Sequence, residues 1–125
     1  MPKQEITTSQ APAAIGPYAQ AVLAGGLLFS SGQIPVNPTD GTVPVSVDEQ
    51  AKQALINLGA ILEQAGIGFA EVLKTTVFIR HMEDFAAINA VYATFFKEPY
   101  PARSCVEVSA LPKGVLLEIE AIAAC

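Results

Sequence analysis

A capped helix in the first half of the chain does most to limit the fold. Ser46 and, three residues later, Glu49 form the capping-box pattern with which many helices begin. Apolar residues then recur at helical spacing until Gly66, a typical helix-ending residue; they are Val47, Ala51, Ala54, Leu55, Leu58, Leu62 and Ala65. The sequence therefore predicts an amphipathic helix over residues 47–65, with one face that must be buried against another layer.

A second helix and five strands are predicted from similar patterns. Asp84 is a candidate cap for a helix that Pro99 stops, with the apolar stripe Phe85, Ile88, Tyr92 and Phe95. Apolar and β-branched runs predict strands at residues 19–23, 27–31, 72–80, 103–109 and 116–123. The order is β-β-α-β-α-β-β. This order predicts an α+β domain of two layers, in which two helices cover one face of a mixed sheet.

The sequence is apolar for its length. Its 125 residues fit a single domain, residues 1–125, without an internal linker or repeat. Hydrophobic residues make up 51% and charged residues 15%. Because the predicted helices cover only one face of the sheet, the other face needs a cover that the chain itself does not supply. We expect that cover to come from association between subunits.

Charge and hydropathy restrict the partners. The formal net charge is −5, and basic residues do not cluster with aromatic ones, which argues against binding to nucleic acid. The N-terminal segment has no apolar core typical of a signal peptide, and no apolar run is long enough to span a membrane. We therefore expect a cytoplasmic protein with no membrane partner.

The sequence contains no recognisable motif for binding a metal or a cofactor. The one histidine, His81, has no second His or Cys at ligand spacing, and Cys105 and Cys125 suggest neither a metal site nor a disulfide framework. Phosphate-binding glycine motifs and a serine nucleophile motif are also missing from the sequence. We expect no metal and no cofactor, with His81 as an ordinary residue at a strand–helix boundary.

Arg103 is the most informative candidate for a binding residue. It lies in "YPARSCVEVS", a segment typical of a buried strand, where a guanidinium that stays charged must find an anion. Its planar fork fits a carboxylate with two hydrogen bonds. A surface arginine at a strand end, or one paired with an internal glutamate, explains the same residue. The residues alone leave these alternatives open.

Each of five further polar residues has two interpretations. Cys105 is either a nucleophile or a small buried side chain, and the second fits better because no histidine is near it in sequence. Glu118 and Glu120, two apart on one strand, share a face that is solvated or lines a polar cleft. Tyr18 presents its phenol from a loop or packs at a strand start. Asn89, in the second helix, is exposed or uses its amide to bind another group.

Six segments considered together resemble one known family. They are "APAAIGPYAQAV", "SSGQIPVNP", "VLKTTVFI", "DFAAINAVYATFF", "YPARSCVEVSALPKG" and "EIEAIA". Their order and sequence resemble the Rid family of reactive intermediate deaminases, formerly called YjgF, and closely its RidA branch. The resemblance runs from about residue 11 to residue 123. Its most specific parts are the strand PARSCVEV and the turn SGQIP.

The resemblance implies a chorismate-mutase-like subunit in a homotrimer, with an active site at each subunit interface. It also implies hydrolysis, without a cofactor, of reactive 2-enamino and 2-imino acids such as 2-aminoacrylate, 2-iminopropanoate and 2-iminobutanoate. The products are 2-keto acids and ammonia, and the activity protects pyridoxal-phosphate enzymes from damage. The alternatives are a trimer that binds a ligand or protein without catalysis, and an RNA-cleaving translation inhibitor.

The resemblance further implies roles for individual residues. Arg103 would bind the substrate carboxylate, Glu118 would hold the attacking water, and Cys105 would contribute mainly backbone contacts beside the arginine. The pocket lining would comprise Tyr18, Ser31 and Gly32, with the Ser31–Gly32 turn near the reacting nitrogen and Asn89 supporting the cleft from the second helix.

Overall fold

Two helices pack against one face of a six-stranded sheet in the computed structural model, which describes residues 2–125. The strands are β1 (Gln4–Ile6), β2 (Ala21–Ala24), β3 (Leu27–Ser30), β4 (Val72–Ile79), β5 (Ala102–Glu107) and β6 (Leu117–Ala124). The helices are α1 (Val47–Gln64) and α2 (Phe85–Tyr92). Short 3₁₀ turns lie at Phe69–Glu71, Met82–Asp84 and Pro112–Gly114.

The sheet is mixed and has the strand order β1-β2-β3-β6-β4-β5. Strands β4 and β5 are parallel, joined by a crossover through α2, and every other pair is antiparallel. The predicted α+β architecture is confirmed, and its seven elements occur in the predicted order. Strand β1 precedes them and was not predicted, because only Ile6 of its three residues is buried and so short a strand shows no alternation.

Helix α1 supplies most of the helical side of the core. Its predicted cap is present, since the Ser46 hydroxyl accepts a hydrogen bond from the Glu49 backbone N–H at 3.3 Å. Leu58, Ile61 and Leu62 are fully buried in the cluster formed with the inner face of the sheet. Burial of each such side chain stabilises the fold by about 1.5–3 kcal/mol relative to its exposure.

Helix α2 is shorter than the predicted helix and begins differently. Asp84 makes no capping hydrogen bond through its side chain; the turn Met82–Asp84 leads into the helix instead. Helical structure ends at Tyr92, well before Pro99. The Thr94 hydroxyl donates to the Val91 carbonyl at 2.7 Å in the turn that follows. A side-chain bond of this kind competes with continuation of the helix.

The interpretation of residues 103–109 as a buried strand is wrong for the single chain. Strand β5 pairs only with β4 and therefore forms one edge of the sheet. Five of its six residues are exposed, and the sixth, Cys105, is partly buried. The sequence pattern suggested burial because apolar residues alternate here, yet Val106 remains 43% exposed.

Side chains alternate regularly between the two faces of β6. Leu117, Ile119, Ala121 and Ala123 are buried towards the helices, whereas Glu118 and Glu120 point to the opposite face, which no helix of this chain covers. Lys74 and Thr76 share that open face. No helix within residues 2–125 is both long and apolar enough to cross a membrane.

A buried asparagine anchors the segment that follows Gly32 to α1. The Asn57 amide is fully buried and donates to the carbonyls of Ile34 and Val36 at 3.0 and 2.9 Å. Its oxygen accepts from Gln53 at 2.9 Å. The loop after β3 is therefore held by hydrogen bonds from the helix layer.

We predict that Asn57→Ala lowers the free energy of unfolding by about 2–4 kcal/mol, because two carbonyls lose their donor and the side chain leaves a gap. Urea unfolding at fixed protein concentration measures the loss. Gln53→Ala is the matched control, since it removes one partly buried bond to the same asparagine and should cost less than about 1 kcal/mol. Equal losses in the two variants would contradict the anchoring role.

Candidate active site

Arg103 lies on the edge strand with its side chain towards α2. Its guanidinium donates to the Asn89 amide oxygen at 2.7 Å. The guanidinium carbon lies 4.8 Å from the ring centroid of Tyr92 and 5.3 Å from that of Phe85. The arginine is exposed, and its hydrogen-bond partner is a neutral amide rather than an internal glutamate. N–H groups of its fork thus remain available for an anion.

A cleft of about 440 Å³ opens beside this arginine. Its lining residues are Asn89, Tyr92, Ala93, Tyr100, Pro101 and Arg103. The two predicted residues, Asn89 and Arg103, are therefore brought together. Asn89 is exposed, and its amide oxygen accepts the hydrogen bond from the arginine.

Cys105 lies two residues further along β5, on the same side of the sheet as Arg103. It is partly buried and packs against the hydrophobic core. Burial raises the pKa of the Cys105 thiol, and the nearby charge of Arg103 opposes this effect only in part. A raised pKa disfavours the thiolate, so the structure gives no support to a nucleophilic cysteine.

Glu118 and Gly32 are in direct contact on the open side of the sheet. Gln33 and Ile119 exchange two backbone hydrogen bonds, of 2.7 and 3.1 Å, which draw the residues next to them together. A Cβ atom at Gly32 would overlap the Glu118 carboxylate. Any larger residue at this position would therefore displace that carboxylate.

Burial raises the pKa of the Glu118 carboxyl, and repulsion from Glu120 adds to the effect. Both causes disfavour the ionised form. A carboxyl group with a raised pKa exchanges a proton with water or substrate more readily near neutral pH than an ordinary glutamate does.

Ser31, next to Gly32 in the chain, connects this group to the segment that carries Tyr18. The Ser31 hydroxyl donates to the Ala19 carbonyl at 2.6 Å, which ties the end of β3 to the loop that carries Tyr18. Tyr18 is 54% exposed. A second cleft, of about 410 Å³, has both Tyr18 and Gly32 in its wall, together with Lys113 of the turn before β6.

The predicted residues therefore form two separate groups within one chain. In the parallel β4–β5 pair, Arg103 is opposite Thr75, which is fully buried beneath the helices. In the β4–β6 pair, Glu118 is opposite Phe78, on the other face. Paired residues point to the same side of a sheet, so Arg103 and Glu118 lie on opposite faces. We call the first group, Arg103 with Asn89, the arginine half-site, and the second, Glu118 with Tyr18, Ser31 and Gly32, the glutamate half-site.

From the sequence, Phe85 and Tyr92 were expected only as core residues of the second helix, and Tyr100 had no expected role. Phe85, Asn89 and Tyr92 are spaced four and then three residues apart, so that they share one face of α2. That spacing was the available signal, but a stripe of this kind is typical of ordinary packing. Tyr100, which lines the cleft from an irregular loop, gave no periodic signal at all.

Across residues 2–125, no group of three or more His, Cys, Asp or Glu side chains lies close enough together to hold a metal ion. The polar groups at the two clefts are instead Arg103, Lys113, amides and tyrosine hydroxyls, with the Glu118 carboxylate next to Gly32 of the second cleft. Such groups can bind a carboxylate and position water.

Comparison with known proteins defines the class. Residues 8–125 match the family described as Endoribonuclease L-PSP. The chain belongs to this family, which is the Rid or YjgF family, and the resemblance found in its sequence is confirmed.

Individual relatives are closely similar. The chain is 55% identical, over 94% of both sequences, to the 2-iminobutanoate/2-iminopropanoate deaminase of Escherichia coli K12. It is 58% identical, over 98% of both, to a RutC family protein of Haemophilus influenzae. The crystal structure of E. coli TdcF with bound serine superimposes with a TM-score of 0.94 at 51% identity, covering 98% of each chain. A Rid family protein from Yersinia pestis gives 0.97 at 48% identity, covering 99% of this chain and 100% of its own.

We predict that iodoacetamide at pH 7.5 modifies Cys125 at least about tenfold faster than Cys105. Cys125 is exposed, whereas burial both shields Cys105 and raises the pKa of its thiol. Mass spectrometry of the intact protein and of its peptides follows each site over time. Cys125→Ser isolates the slow site, and rapid alkylation of Cys105 in that variant would contradict a protonated, shielded thiol.

Proposed function

We propose that this protein is a 2-iminobutanoate/2-iminopropanoate deaminase. It hydrolyses reactive 2-imino and 2-enamino acids to 2-keto acids and ammonia without a cofactor, and so protects pyridoxal-phosphate enzymes. The observation that carries the proposal is the exposed guanidinium of Arg103, held by neutral groups beside a cleft that is large enough for a small acid. The chain is moreover 54% identical to a second deaminase of this name, from Salmonella typhimurium.

The assembly we propose is a homotrimer whose active sites form between subunits. Its support is geometric. The arginine half-site and the glutamate half-site are on opposite faces of one sheet, so one substrate cannot contact both within a chain. If the arginine half-site of one subunit meets the glutamate half-site of the next, the two combine, and the open face of the sheet gains its cover.

In the proposed reaction, Arg103 binds the substrate carboxylate through two parallel hydrogen bonds while Asn89 holds the guanidinium. Glu118 of the adjoining subunit, in its ionised form, orients a water molecule towards C2 of the imine. The water oxygen forms a bond to C2, and Glu118 accepts its proton. That proton is returned to nitrogen, which gives a carbinolamine. Its hydroxyl proton then passes to nitrogen by way of Glu118, the C2–N bond breaks as the C2–O double bond forms, and ammonia leaves with the 2-keto acid.

The enamino acids require one earlier step. A proton must be added to C3 to give the 2-imino acid before water can attack, and solvent can supply it. The remaining groups of the glutamate half-site, Tyr18, Ser31 and Gly32, line the pocket around C2 and the nitrogen. Because the imine is already an activated electrophile, correct placement of water, worth up to about 7–11 kcal/mol in favourable cases, replaces a metal or strong nucleophile.

RNA cleavage is the second candidate, favoured by the family description as an endoribonuclease. A Thermotoga maritima protein 45% identical to this chain is described as a putative endoribonuclease. The net charge of −5 argues against this candidate, because RNA affinity depends on neutralising phosphates with cations. The same purified protein should be tested on single-stranded RNA and on the imine, so that the two activities are compared directly.

We predict that Arg103→Ala and Glu118→Gln each reduce kcat/KM by at least about 100-fold, which corresponds to about 3 kcal/mol. Co-expression of the two variants in equal amounts should restore about a quarter of the wild-type activity. Each interface site then has an even chance of an intact Arg103 and of an intact Glu118. Ammonia release from enzymatically generated 2-iminobutanoate, corrected for spontaneous hydrolysis, provides the measurement.

The control pairs Arg103→Ala with the double variant Arg103→Ala/Glu118→Gln, a mixture in which no site contains the arginine. It should show no recovery. If the mixture of single variants is also inactive while its trimers form normally, the shared site is disproved. A fully active Arg103→Ala protein would disprove the carboxylate role.

The pH dependence should reflect Glu118. Burial and Glu120 raise the pKa of Glu118 above its ordinary value of 4.5, and the ionised form is the active one. A plot of log kcat/KM against pH should therefore fall on its acidic side, with the midpoint of that fall above pH 4.5. Glu120→Gln removes the repulsion and should move this midpoint to lower pH. An unchanged or higher midpoint in Glu120→Gln would contradict the assignment.

A further inference from the structure

Beneath Arg103 lies a pair of buried hydroxyls that the proposed reaction does not use. The hydroxyls of Thr75 and Tyr92 are 2.8 Å apart and hydrogen-bonded. Thr75, on β4, is fully buried, and Tyr92, on α2, is 7% exposed. The bond therefore joins the sheet to the helix at the floor of the arginine half-site.

The Tyr92 ring is fixed at several points. Its hydroxyl is bonded to Thr75, and the Phe96 ring stacks on it with a centroid separation of 4.4 Å and an interplanar angle of 30°. The guanidinium carbon of Arg103 lies 4.8 Å from the same ring centroid. A guanidinium over an aromatic ring is attracted to the ring face and tends to stack on it.

We propose that the Thr75–Tyr92 pair is a positioning device, which fixes the ring on which Arg103 rests and thereby aims the guanidinium at the substrate carboxylate. The inference rests on the proposed function and extends it to two residues that do not contact the reacting atoms. Asn89 fixes one end of the guanidinium, and the Tyr92 ring fixes its plane. Both constraints are needed, since one hydrogen bond leaves a fork free to rotate.

The physical reason is the exposure of Arg103. An exposed arginine samples many rotamers, and it loses much of that side-chain freedom when it is held in one. A ring held in place before substrate arrives removes part of that cost from binding. The Tyr92 hydroxyl is bonded to the buried Thr75, and burial raises the pKa of the phenol against the opposing effects of Thr75 and Arg103, so the group remains a neutral phenol.

The competing explanation is that the Thr75–Tyr92 pair serves only packing. The two explanations predict different results for the variants. Thr75→Val removes one hydroxyl at almost constant volume and leaves the Tyr92 hydroxyl buried without its partner, which is destabilising. Adding Tyr92→Phe removes that unpaired group, so stability should largely return. The ring at position 92, however, still lacks the hydrogen bond that joins it to the sheet. Stability and substrate binding are thus expected to separate in the double variant.

The test measures KM and kcat for 2-iminobutanoate, urea unfolding, and the Kd of 2-oxobutanoate by calorimetry. The variants are Thr75→Val, Thr75→Val/Tyr92→Phe and the conservative Thr75→Ser. We expect KM and Kd to rise about three- to tenfold in the first two variants, with kcat within about twofold of wild type. Thr75→Ser keeps a hydroxyl and should keep KM and Kd near wild type.

A KM that follows stability, raised in Thr75→Val and restored in the double variant, would overturn the proposal in favour of packing. So would unchanged KM and Kd in both variants. Failure of the proposed function is a separate result, recognised by wild-type protein that does not accelerate imine hydrolysis. In that case the Kd of 2-oxobutanoate still tests whether the pair positions Arg103 for a carboxylate.

Discussion

The alternation of side chains along β4, β5 and β6 is the constraint on which the rest of the structure depends. It puts the core residues of these strands beneath the helices and sends Glu118 and Glu120 to the opposite face. By the same rule, Arg103 emerges on the helix side. A register shift of one residue in β5 alone would put Arg103 and Glu118 on one face and withdraw the arginine from Asn89.

The chemistry proposed for the two half-sites suits their modest composition. An imine needs no strong nucleophile, and a carboxylate is recognised well by a planar guanidinium. The arginine is supported by an amide and by aromatic rings, none of which competes with the substrate for its charge. A glutamate support at Asn89 would neutralise that charge before any substrate arrived. The raised pKa of Glu118 similarly suits proton exchange better than permanent negative charge.

The helix and strand order could be predicted from the sequence because capping, apolar periodicity and turn glycines act over a few residues. Family resemblance added the candidate residues that no single motif supported, such as Tyr18 and Ser31. Burial of β5 was mispredicted, because periodicity reports which residues are apolar and not whether a strand has one neighbour or two. The separation of Arg103 from Glu118 depends on strand pairing between distant segments. The role of Tyr92 was equally inaccessible, because an aromatic residue at helical spacing is typical of any core.

The edge position of β5 also bears on how the proposed trimer would form. One side of this strand pairs with β4, while its other backbone N–H and C=O groups have no neighbouring strand within residues 2–125. Such an edge, beside the uncovered sheet face, can pair with strands of other protein chains. A newly made subunit would therefore be least exposed to such pairing when other subunits are abundant nearby. Folding and association would be coupled through concentration, and truncated chains that cannot associate would be prone to aggregation.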